Sequence, residues 1–321
     1  MGVQTMKIAF VFPGQGSQAV GMLDSFGDTP AVQEVMLRAD AALGEPLSAL
    51  ISRGPADDLA LTVNTQPAML AASIAMFSAW RAAGGPMPLM MAGHSLGEYS
   101  ALTAAGVFTL DDAVRLVRFR AQAMQEAVPV GTGSMAAILG LSDEQVQQAC
   151  DEAAQGQVVE PVNFNAPAQV VIAGHVDAVQ RACEAAKKLG AKRAMPLAVS
   201  APFHSSLLQP ASVRLRERLA GVAMQSPQCP VVNNIDVVAE SDVARIRDAL
   251  ARQAAGPVRW AQIVSKMAAE GVTHVVECGP GKVLSGLTRR ITPGVESLSI
   301  SDAASLADTL AKLRAAQEEL A

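Results

Sequence analysis

The sequence predicts an α/β fold with a mostly parallel sheet and a small inserted domain. Short apolar segments alternate with helical patterns over the first 130 residues, and the same alternation resumes after residue 201. A Pro/Gly-rich hinge, VPVGTGSM at residues 128–135, separates the first part from a stretch of different character. We therefore expect a discontinuous large domain, residues 1–130 and 202–321, and an inserted domain, residues 131–201.

Apolar runs and helical periodicity predict the first part of the large domain. Strands are expected at residues 7–12 and 89–92, where short apolar runs have strand length. Helices are expected at 32–43, 67–80 and 111–127. Asp111 and Asp112 suit the N-terminal end of the last helix, where negative charge stabilises the helix dipole. These elements produce the alternation of a layered α/β domain.

The predicted elements of the inserted domain follow the order βαββαβ. Strands are expected at 134–139, 158–165, 169–173 and 193–199, with helices at 142–154 and 177–189. Ser142, Asp143 and Glu144 form a typical start for the first of these helices. The order is that of the split ferredoxin-like unit, which is self-contained and can stand between two halves of a larger domain.

The α/β alternation returns in the last third of the chain. Helices are expected at 207–220, 241–253 and 260–270, and strands at 229–233 and 274–277. Gly279-Pro280-Gly281-Lys282 follows the last of these strands but lacks the spacing of a phosphate loop. We predict a tight turn there, followed by a helical tail.

Composition limits the kinds of protein that this chain can be. Half of its 321 residues are hydrophobic and 17% are charged, which predicts a packed core. A net charge of −5 and a single tyrosine disfavour nucleic-acid binding. The apolar run at residues 8–12 is too short for a signal sequence or a membrane span. Four scattered cysteines without zinc-ligand spacing predict reduced thiols in a cytoplasmic protein and no metal site.

The segment Gly93-His94-Ser95-Leu96-Gly97 carries the clearest chemical signal. It follows an apolar strand and precedes an alanine- and leucine-rich helix, so it matches the strained elbow that exposes a nucleophilic serine. The pattern predicts that Ser95 accepts an acyl group. It leaves open whether water or a second thiol or alcohol takes that group afterwards.

A nucleophilic serine needs a base, and the chain has four histidines. We expect His94 to point away from Ser95, His175 to lie in the insertion and His274 to begin a strand. His204 follows the last strand of the insertion in a Pro-stiffened loop, where the chain re-enters the large domain. Elimination favours His204, while the geometric requirement for a base stays untested at this stage.

Arg120 stands out on the helix predicted at 111–127. Its neighbours three and four positions away are apolar, whereas Arg115 belongs to a charged face. A guanidinium on a buried stripe is costly unless it meets an anion. Two interpretations stay open, namely an internal salt bridge and a clamp for a substrate carboxylate.

The glycine-rich loop at residues 14–19 follows a strand and matches GxGxxA. A dinucleotide site also needs an acidic residue at a strand end about twenty residues further on. The chain is helical there, so we reject that interpretation. The glycines still allow backbone N–H groups to face a ligand.

Seven motifs run in order along the chain: PGQGSQ at 13–18, GHSLGE at 93–98, the helix with Arg120, VNFNAP at 162–167, SAPFH at 200–204, Gln253 with PVRW at 257–260, and ECGPGK at 277–282. Taken together, these motifs resemble the malonyl-CoA:acyl carrier protein transacylase family. The resemblance runs in order over nearly the whole chain, which makes the set far more specific than any one motif. The family's fold is a hydrolase-like α/β domain with an inserted ferredoxin-like domain.

The resemblance implies a role for each matching residue. Ser95 is the implied nucleophile and His204 the general base, with the backbone N–H groups of Leu96 and Gln15 as the oxyanion hole. The implied substrate-binding residues are Arg120, Gln253, Asn165 and Phe203. Many relatives have serine where this chain has Phe203, and a bulky side chain there disfavours α-branched acyl groups. We therefore predict malonyl over methylmalonyl, to be tested by kcat/KM for the two CoA esters.

The implied activity is malonyl transfer from malonyl-CoA to the phosphopantetheine thiol of acyl carrier protein, for fatty-acid elongation. The partner carries the phosphopantetheine, and we expect no permanently bound cofactor and a monomer. The alternatives are a serine esterase or thioesterase, a malonyltransferase of a polyketide or decarboxylase system, and a non-catalytic scaffold.

Four cations cluster in the predicted insertion: Lys187, Lys188, Lys192 and Arg193. They form either a docking surface for an acidic carrier or a solvated face.

Overall fold

A computed structural model describes residues 6–319 of the chain. The strands are β1 Ile8–Phe12, β2 Met90–Gly93, β3 Gly133–Leu139, β4 Val159–Ala166, β5 Gln169–His175, β6 Arg193–Pro196, β7 Val231–Val232, β8 His274–Cys278 and β9 Glu296–Ile300. The α-helices are α1 Pro30–Leu43, α2 Leu47–Arg53, α3 Ala56–Ala60, α4 Thr62–Ala82, α5 Leu96–Ala104, α6 Leu110–Glu126, α7 Asp143–Ala154, α8 Val176–Lys188, α9 Gln209–Ala220, α10 Val243–Gln253, α11 Trp260–Ala269, α12 Val283–Ile291 and α13 Ala303–Glu319.

The large sheet has the strand order β7-β2-β1-β8-β9. All of its neighbouring strands pair in parallel. Alternate residues of the central strand β1 enter different cores, as the two-residue period of a strand requires. Phe10 and Phe12 pack into the core that contains the buried helix α4, whereas Ala9 and Val11 pack with Trp260 of α11. Helices therefore cover both faces of the sheet, as expected for parallel strands.

The small sheet is antiparallel and has the order β4-β5-β3-β6. Helices α7 and α8 supply the buried side chains that form a separate core with this sheet. Ser142 caps α7 in the predicted place, because its hydroxyl accepts from the Gln145 N–H while the Gln145 side chain accepts from the Ser142 N–H. The predicted fold class, a mostly parallel α/β domain with a ferredoxin-like βαββαβ unit, is confirmed.

The strand β4 of the small sheet is hydrogen-bonded to Val258, which precedes α11 of the large domain. The Phe164 N–H donates to the Val258 carbonyl at 2.9 Å, and the Val258 N–H donates to the Val162 carbonyl at 2.8 Å. A further apolar core beside this junction contains Met135 of the small sheet and Phe203 of the large domain. The boundaries 1–130, 131–201 and 202–321 stay a proposal, which the separate core of the small sheet supports.

Several elements differ from the sequence-based expectation. The strand β9 was missed, because two of its five residues are serines and its polar and apolar residues alternate weakly. The strand expected at 229–233 contains only Val231 and Val232. The strand expected at 193–199 ends at Pro196, which lacks the N–H that a continuing ladder needs. The short helices α2 and α3 were also missed.

Within residues 6–319, no helix combines the length and the apolar character that a membrane span requires.

Candidate active site

Ser95 lies between β2 and α5 in a strained backbone conformation, with φ 53° and ψ −109°. Two glycines make the turn possible. A Cβ on Gly93 would lie 1.9 Å from the Gly97 carbonyl carbon, and a Cβ on Gly97 would lie 2.0 Å from the Phe12 carbonyl oxygen. The glycines of the GxSxG motif are therefore required by close backbone packing around the elbow.

Asn234 holds the elbow from the adjacent strand end. The Ser95 N–H donates to Asn234 Oδ1 at 2.7 Å, and Asn234 Nδ2 donates to the Gly93 carbonyl at 2.7 Å. The side chain is fully buried. Sequence reasoning missed this residue, although the two asparagines that directly follow the apolar pair of β7, Asn233 and Asn234, were a usable signal.

His204 lies against the Ser95 hydroxyl. Its Nε2 is 2.7 Å from Ser95 Oγ, and its Nδ1 is 2.9 Å from the Gln253 backbone carbonyl. A carbonyl oxygen only accepts, so Nδ1 carries the hydrogen and Nε2 is left as an acceptor. Burial, together with the charge of Arg120, lowers the pKa of His204 to about 3. The imidazole is therefore neutral at neutral pH, as a base must be.

Arg120 projects from α6 towards the same hydroxyl, and only 1% of its surface is exposed. Its Nη2 donates to Ser95 Oγ at 3.1 Å and to Gln253 Oε1 at 2.9 Å, while Nη1 donates to Gln66 Oε1 at 2.7 Å. The Tyr99 ring lies 5.2 Å from the guanidinium carbon. Across the described residues no carboxylate lies within 4.0 Å of this guanidinium, so the internal salt bridge is not formed.

The backbone N–H groups of Gln15 and Leu96 are free to meet a ligand. Neither donates a hydrogen bond to any other group in the part of the chain that the structure describes. Leu96 is the first residue of α5, where a helix has no internal acceptor for its N–H. Gln15 follows β1, and its side-chain oxygen accepts from Thr62 at 2.9 Å. Both N–H groups thus suit an oxyanion site.

A cavity opens over Ser95 between the two sheets. Its polar lining includes Gln15, Gln66, His94, Ser95, Arg120, Asn163 and His204. Its apolar lining comes from both domains and includes Met124, Met135, Leu197, Val199 and Phe203. The cavity thus combines the charge of Arg120 with apolar side chains, which suits a short acyl chain that ends in an anion.

Most of the predicted residues meet in this cavity. Gln253 is fully buried behind it and contacts Ser95, Arg120 and His204. Asn165 does not line the cavity, because its Oδ1 lies 2.8 Å from His94 Nε2 and Asn163 takes the lining position. The expectation that His94 points away is wrong. It lines the cavity, with its ring 5.6 Å from that of Trp260.

A parallel α/β sheet that presents a serine, a histidine and an arginine in one cavity defines a serine-dependent acyl-transfer enzyme. Consistent with that class, the family described as "Acyl transferase domain" matches residues 9–316, and the chain belongs to this family. A malonyl CoA-acyl carrier protein transacylase from Salmonella typhimurium is 54% identical over 305 residues, which are 95% of this chain and 99% of the relative.

Solved structures agree with these comparisons. An acyl-carrier-protein S-malonyltransferase from Burkholderia pseudomallei has a TM-score of 0.94 and 62% identity, with 95% of this chain and 99% of that chain covered. A malonyl-transacylase in complex with a type II PKS acyl-carrier protein has a TM-score of 0.94 and 50% identity, with 95% and 99% covered.

Proposed function

We propose that the chain transfers the malonyl group of malonyl-CoA to the phosphopantetheine thiol of acyl carrier protein through a malonyl ester of Ser95. The observation that carries this proposal is the Arg120 guanidinium, which is buried beside the Ser95 hydroxyl at 3.1 Å and has no carboxylate partner among the described residues. An acyl group with a terminal carboxylate supplies the missing anion. The names of the relatives point to the same donor and acceptor.

In the first half-reaction, His204 Nε2 takes the proton of the Ser95 hydroxyl as the oxygen attacks the thioester carbon. The N–H groups of Leu96 and Gln15 stabilise the negative oxygen of the tetrahedral intermediate. The carbon–sulfur bond then breaks, and the CoA thiolate takes the proton from His204. The products are CoA thiol and malonyl-Ser95.

In the second half-reaction, His204 takes the proton of the carrier's phosphopantetheine thiol, and the sulfur attacks the ester carbon. The carbon–oxygen bond to Ser95 breaks, and the serine oxygen takes the proton back from His204. The Gln253 carbonyl, 2.9 Å from His204 Nδ1, orients the imidazole in place of the carboxylate of a Ser-His-Asp triad.

The remaining predicted residues act around this chemistry. Phe203 lines the cavity, and its bulk there supports the preference for malonyl over the α-branched methylmalonyl group. Asn165 acts through His94 rather than on the substrate. A cytoplasmic monomer without a permanently bound cofactor belongs to the same proposal. Its four cysteines are buried and free, in keeping with a reducing compartment.

One incubation tests the proposal. The protein is mixed with malonyl-CoA, with and without phosphopantetheinylated acyl carrier protein, and intact mass is recorded for both proteins. We expect a malonyl adduct on the wild-type chain, none on Ser95→Ala, and transfer of the adduct to the carrier. Release of free malonate with no malonyl-carrier would instead identify a thioesterase, and an adduct on Ser95→Ala would reassign the nucleophile.

A further inference from the structure

Glu98 is a buried carboxylic acid that the chemistry above leaves without a role. It lies in the first turn of α5, three residues after Ser95, and only 2% of its surface is exposed. In the described part of the chain no cationic side chain lies within 4.0 Å of its carboxylate. Such a group is costly to bury unless hydrogen bonds compensate it. Its partners therefore indicate why it is there.

Both hydrogen-bond partners of Glu98 are N–H donors, and both donate to the same oxygen. Gln253 Nε2 and the Asn234 backbone N–H each lie 2.9 Å from Glu98 Oε2. Asn234 is the residue that spans the serine elbow, and Gln253 is the residue that contacts Arg120. Glu98 thus connects Asn234, which holds the serine elbow, to Gln253, which holds the Arg120 guanidinium.

Both polar atoms of the Gln253 side chain make hydrogen bonds. Its Oε1 accepts from Arg120 at 2.9 Å, and its Nε2 donates to the Ser95 carbonyl at 3.0 Å and to Glu98. An amide nitrogen has two hydrogens, so the two acceptors together fix the amide plane. Without the Glu98 oxygen, one N–H of a fully buried amide has no partner. The amide is then free to turn and to release Arg120.

Another buried acid shows how a purely structural carboxylate differs. Glu277 accepts from the N–H groups of Leu284 and Ser285, and so joins β8 to the start of α12. None of these groups lines the cavity over Ser95. Glu98, by contrast, has a partner that contacts Ser95, Arg120 and, through its backbone, His204.

We propose that Glu98 is a positioning residue that acts through Gln253 to hold the Arg120 guanidinium at the Ser95 hydroxyl, and so sets the preference for acyl groups with a free carboxylate. This inference rests on the proposed malonyl transfer, because it assigns a support to the carboxylate clamp.

In this role Glu98 needs an oxygen that accepts hydrogen bonds, and the negative charge of its carboxylate is not required. Burial raises the pKa of Glu98 to about 7, against the opposing hydrogen bonds of Gln253 and Asn234, and the charges of Arg120 and Asp236 add smaller, opposite effects. Both partners donate N–H, so the amide oxygen of a glutamine at this position accepts them equally well. The glutamine NH₂ group then takes the place of the other carboxylate oxygen, beside a small cavity that Glu240 also lines.

Two substitutions separate the oxygen from the charge. Glu98→Ala removes the acceptor, and Glu98→Gln keeps the acceptor but removes the charge. Rates of Ser95 acylation are measured with malonyl-CoA and acetyl-CoA. In Glu98→Ala the kcat/KM for malonyl-CoA divided by that for acetyl-CoA falls about tenfold, because that is the usual effect of losing a buried hydrogen bond. The KM for malonyl-CoA rises. In Glu98→Gln the ratio stays near that of the wild type.

Glu240→Gln is the matched control, since Glu240 lines the same small cavity but makes its ion pair with Arg245, at 3.6 Å. Its selectivity ratio should not change. If Glu98→Ala does not fold, Glu98→Met replaces it as a variant of similar length without an acceptor.

Two results would overturn the inference. An equal loss with malonyl-CoA and acetyl-CoA in Glu98→Ala would show a merely structural role. A Glu98→Gln variant that behaves like Glu98→Ala would show that the charge matters. In either case the wild-type protein, assayed in parallel, still has to form malonyl-carrier. Its failure to do so would refute the proposed function itself, so the two failures are distinguishable.

Discussion

At the scale of single residues, the role proposed for Arg120 is to select acyl groups that carry a free carboxylate. In Arg120→Ala we expect kcat/KM for malonyl-CoA to fall. The loss should correspond to about 2–4 kcal/mol of transition-state stabilisation, because a buried carboxylate would lose its charged partner. Acetyl transfer should survive or improve, since acetyl has no carboxylate to pair. The measurement is the rate of acyl-Ser95 formation with each CoA ester.

Arg115→Ala is the control on the same helix, because about half of the Arg115 side chain is exposed (47%) and its ion pair with Asp112 lies on the surface. It should leave both rates unchanged. An Arg120→Ala variant that still prefers malonyl-CoA would refute the carboxylate clamp.

The pH dependence of acylation follows from His204. With its pKa lowered to about 3 by burial and by Arg120, the imidazole of the free enzyme stays unprotonated as the pH falls from 8 to 5. Since kcat/KM reports ionisations of the free enzyme, we expect no acid limb near the ordinary histidine pKa of about 6.5. Rapid-quench measurement of malonyl-Ser95 formation across this range checks the expectation.

Glu98 titrates closer to neutrality, so the same profile is recorded for Glu98→Gln, which lacks that ionisation. If kcat/KM of this variant still falls with decreasing pH around pH 6.5, His204 keeps its ordinary pKa despite its burial.

At the scale of elements, the turn between β2 and α5 depends on glycine. Gly93→Ala should lower the free energy of unfolding by about 3 kcal/mol, because the new methyl group meets backbone atoms that cannot move aside. Thermal or urea denaturation measures this loss, and acylation of Ser95 should fall with it.

Gly286→Ala in α12 is the contrasting substitution, since nothing lies within 4 Å of a Cβ at that position. It should stabilise the protein by about 0.5–1 kcal/mol, through the better helix propensity of alanine. Equal effects of the two substitutions would contradict the packing account of the elbow.

Local patterns predicted long elements better than short ones. The helix α4 was expected from its apolar residues at 67–80, and the structure extends it to Thr62–Ala82. The strand β9 was missed because its serines weaken the pattern, and its place at the sheet edge comes from pairing with β8. His94 was misjudged because the direction of a side chain at a strained turn depends on the packing around it, here on Asn165 and Trp260.

At the scale of the whole molecule, one cavity has to serve both the donor and the acceptor. The thioester of malonyl-CoA and the thiol of the carrier each need to reach Ser95 Oγ, so they cannot be bound there together. We expect ping-pong kinetics, seen as parallel lines in double-reciprocal plots with the two substrates varied. Exchange of labelled CoA into malonyl-CoA should occur without carrier in the wild type and disappear in Ser95→Ala. Intersecting lines would indicate a ternary complex instead.

Four cations of the inserted domain are candidates for the surface that binds the acyl carrier protein. Lys187, Lys188, Lys192 and Arg193 are all exposed, as both a docking surface and a solvated face require. A KM for the carrier that does not change with salt would argue against docking on these cations.

The sequence by itself determined most of the order of the elements, the inserted βαββαβ unit and the elbow that carries Ser95. These features depend on periodicities of two and 3.6 residues and on local glycines, which are readable over a few positions. Arg120 could also be singled out, because a charge on an apolar stripe is a local anomaly.

Only the tertiary structure decided what surrounds the Ser95 hydroxyl. His204 lies 109 residues away along the chain, Asn234 139 residues away and Gln253 158 residues away. Local patterns showed that these segments fold, but not that their side chains meet. Asn234 reaches Ser95 because it follows β7, which pairs in parallel with β2 and so ends at the same edge of the sheet. His204 comes from the loop after β6 and Gln253 from the end of α10, and both are buried polar groups that find their partners only when the chain packs.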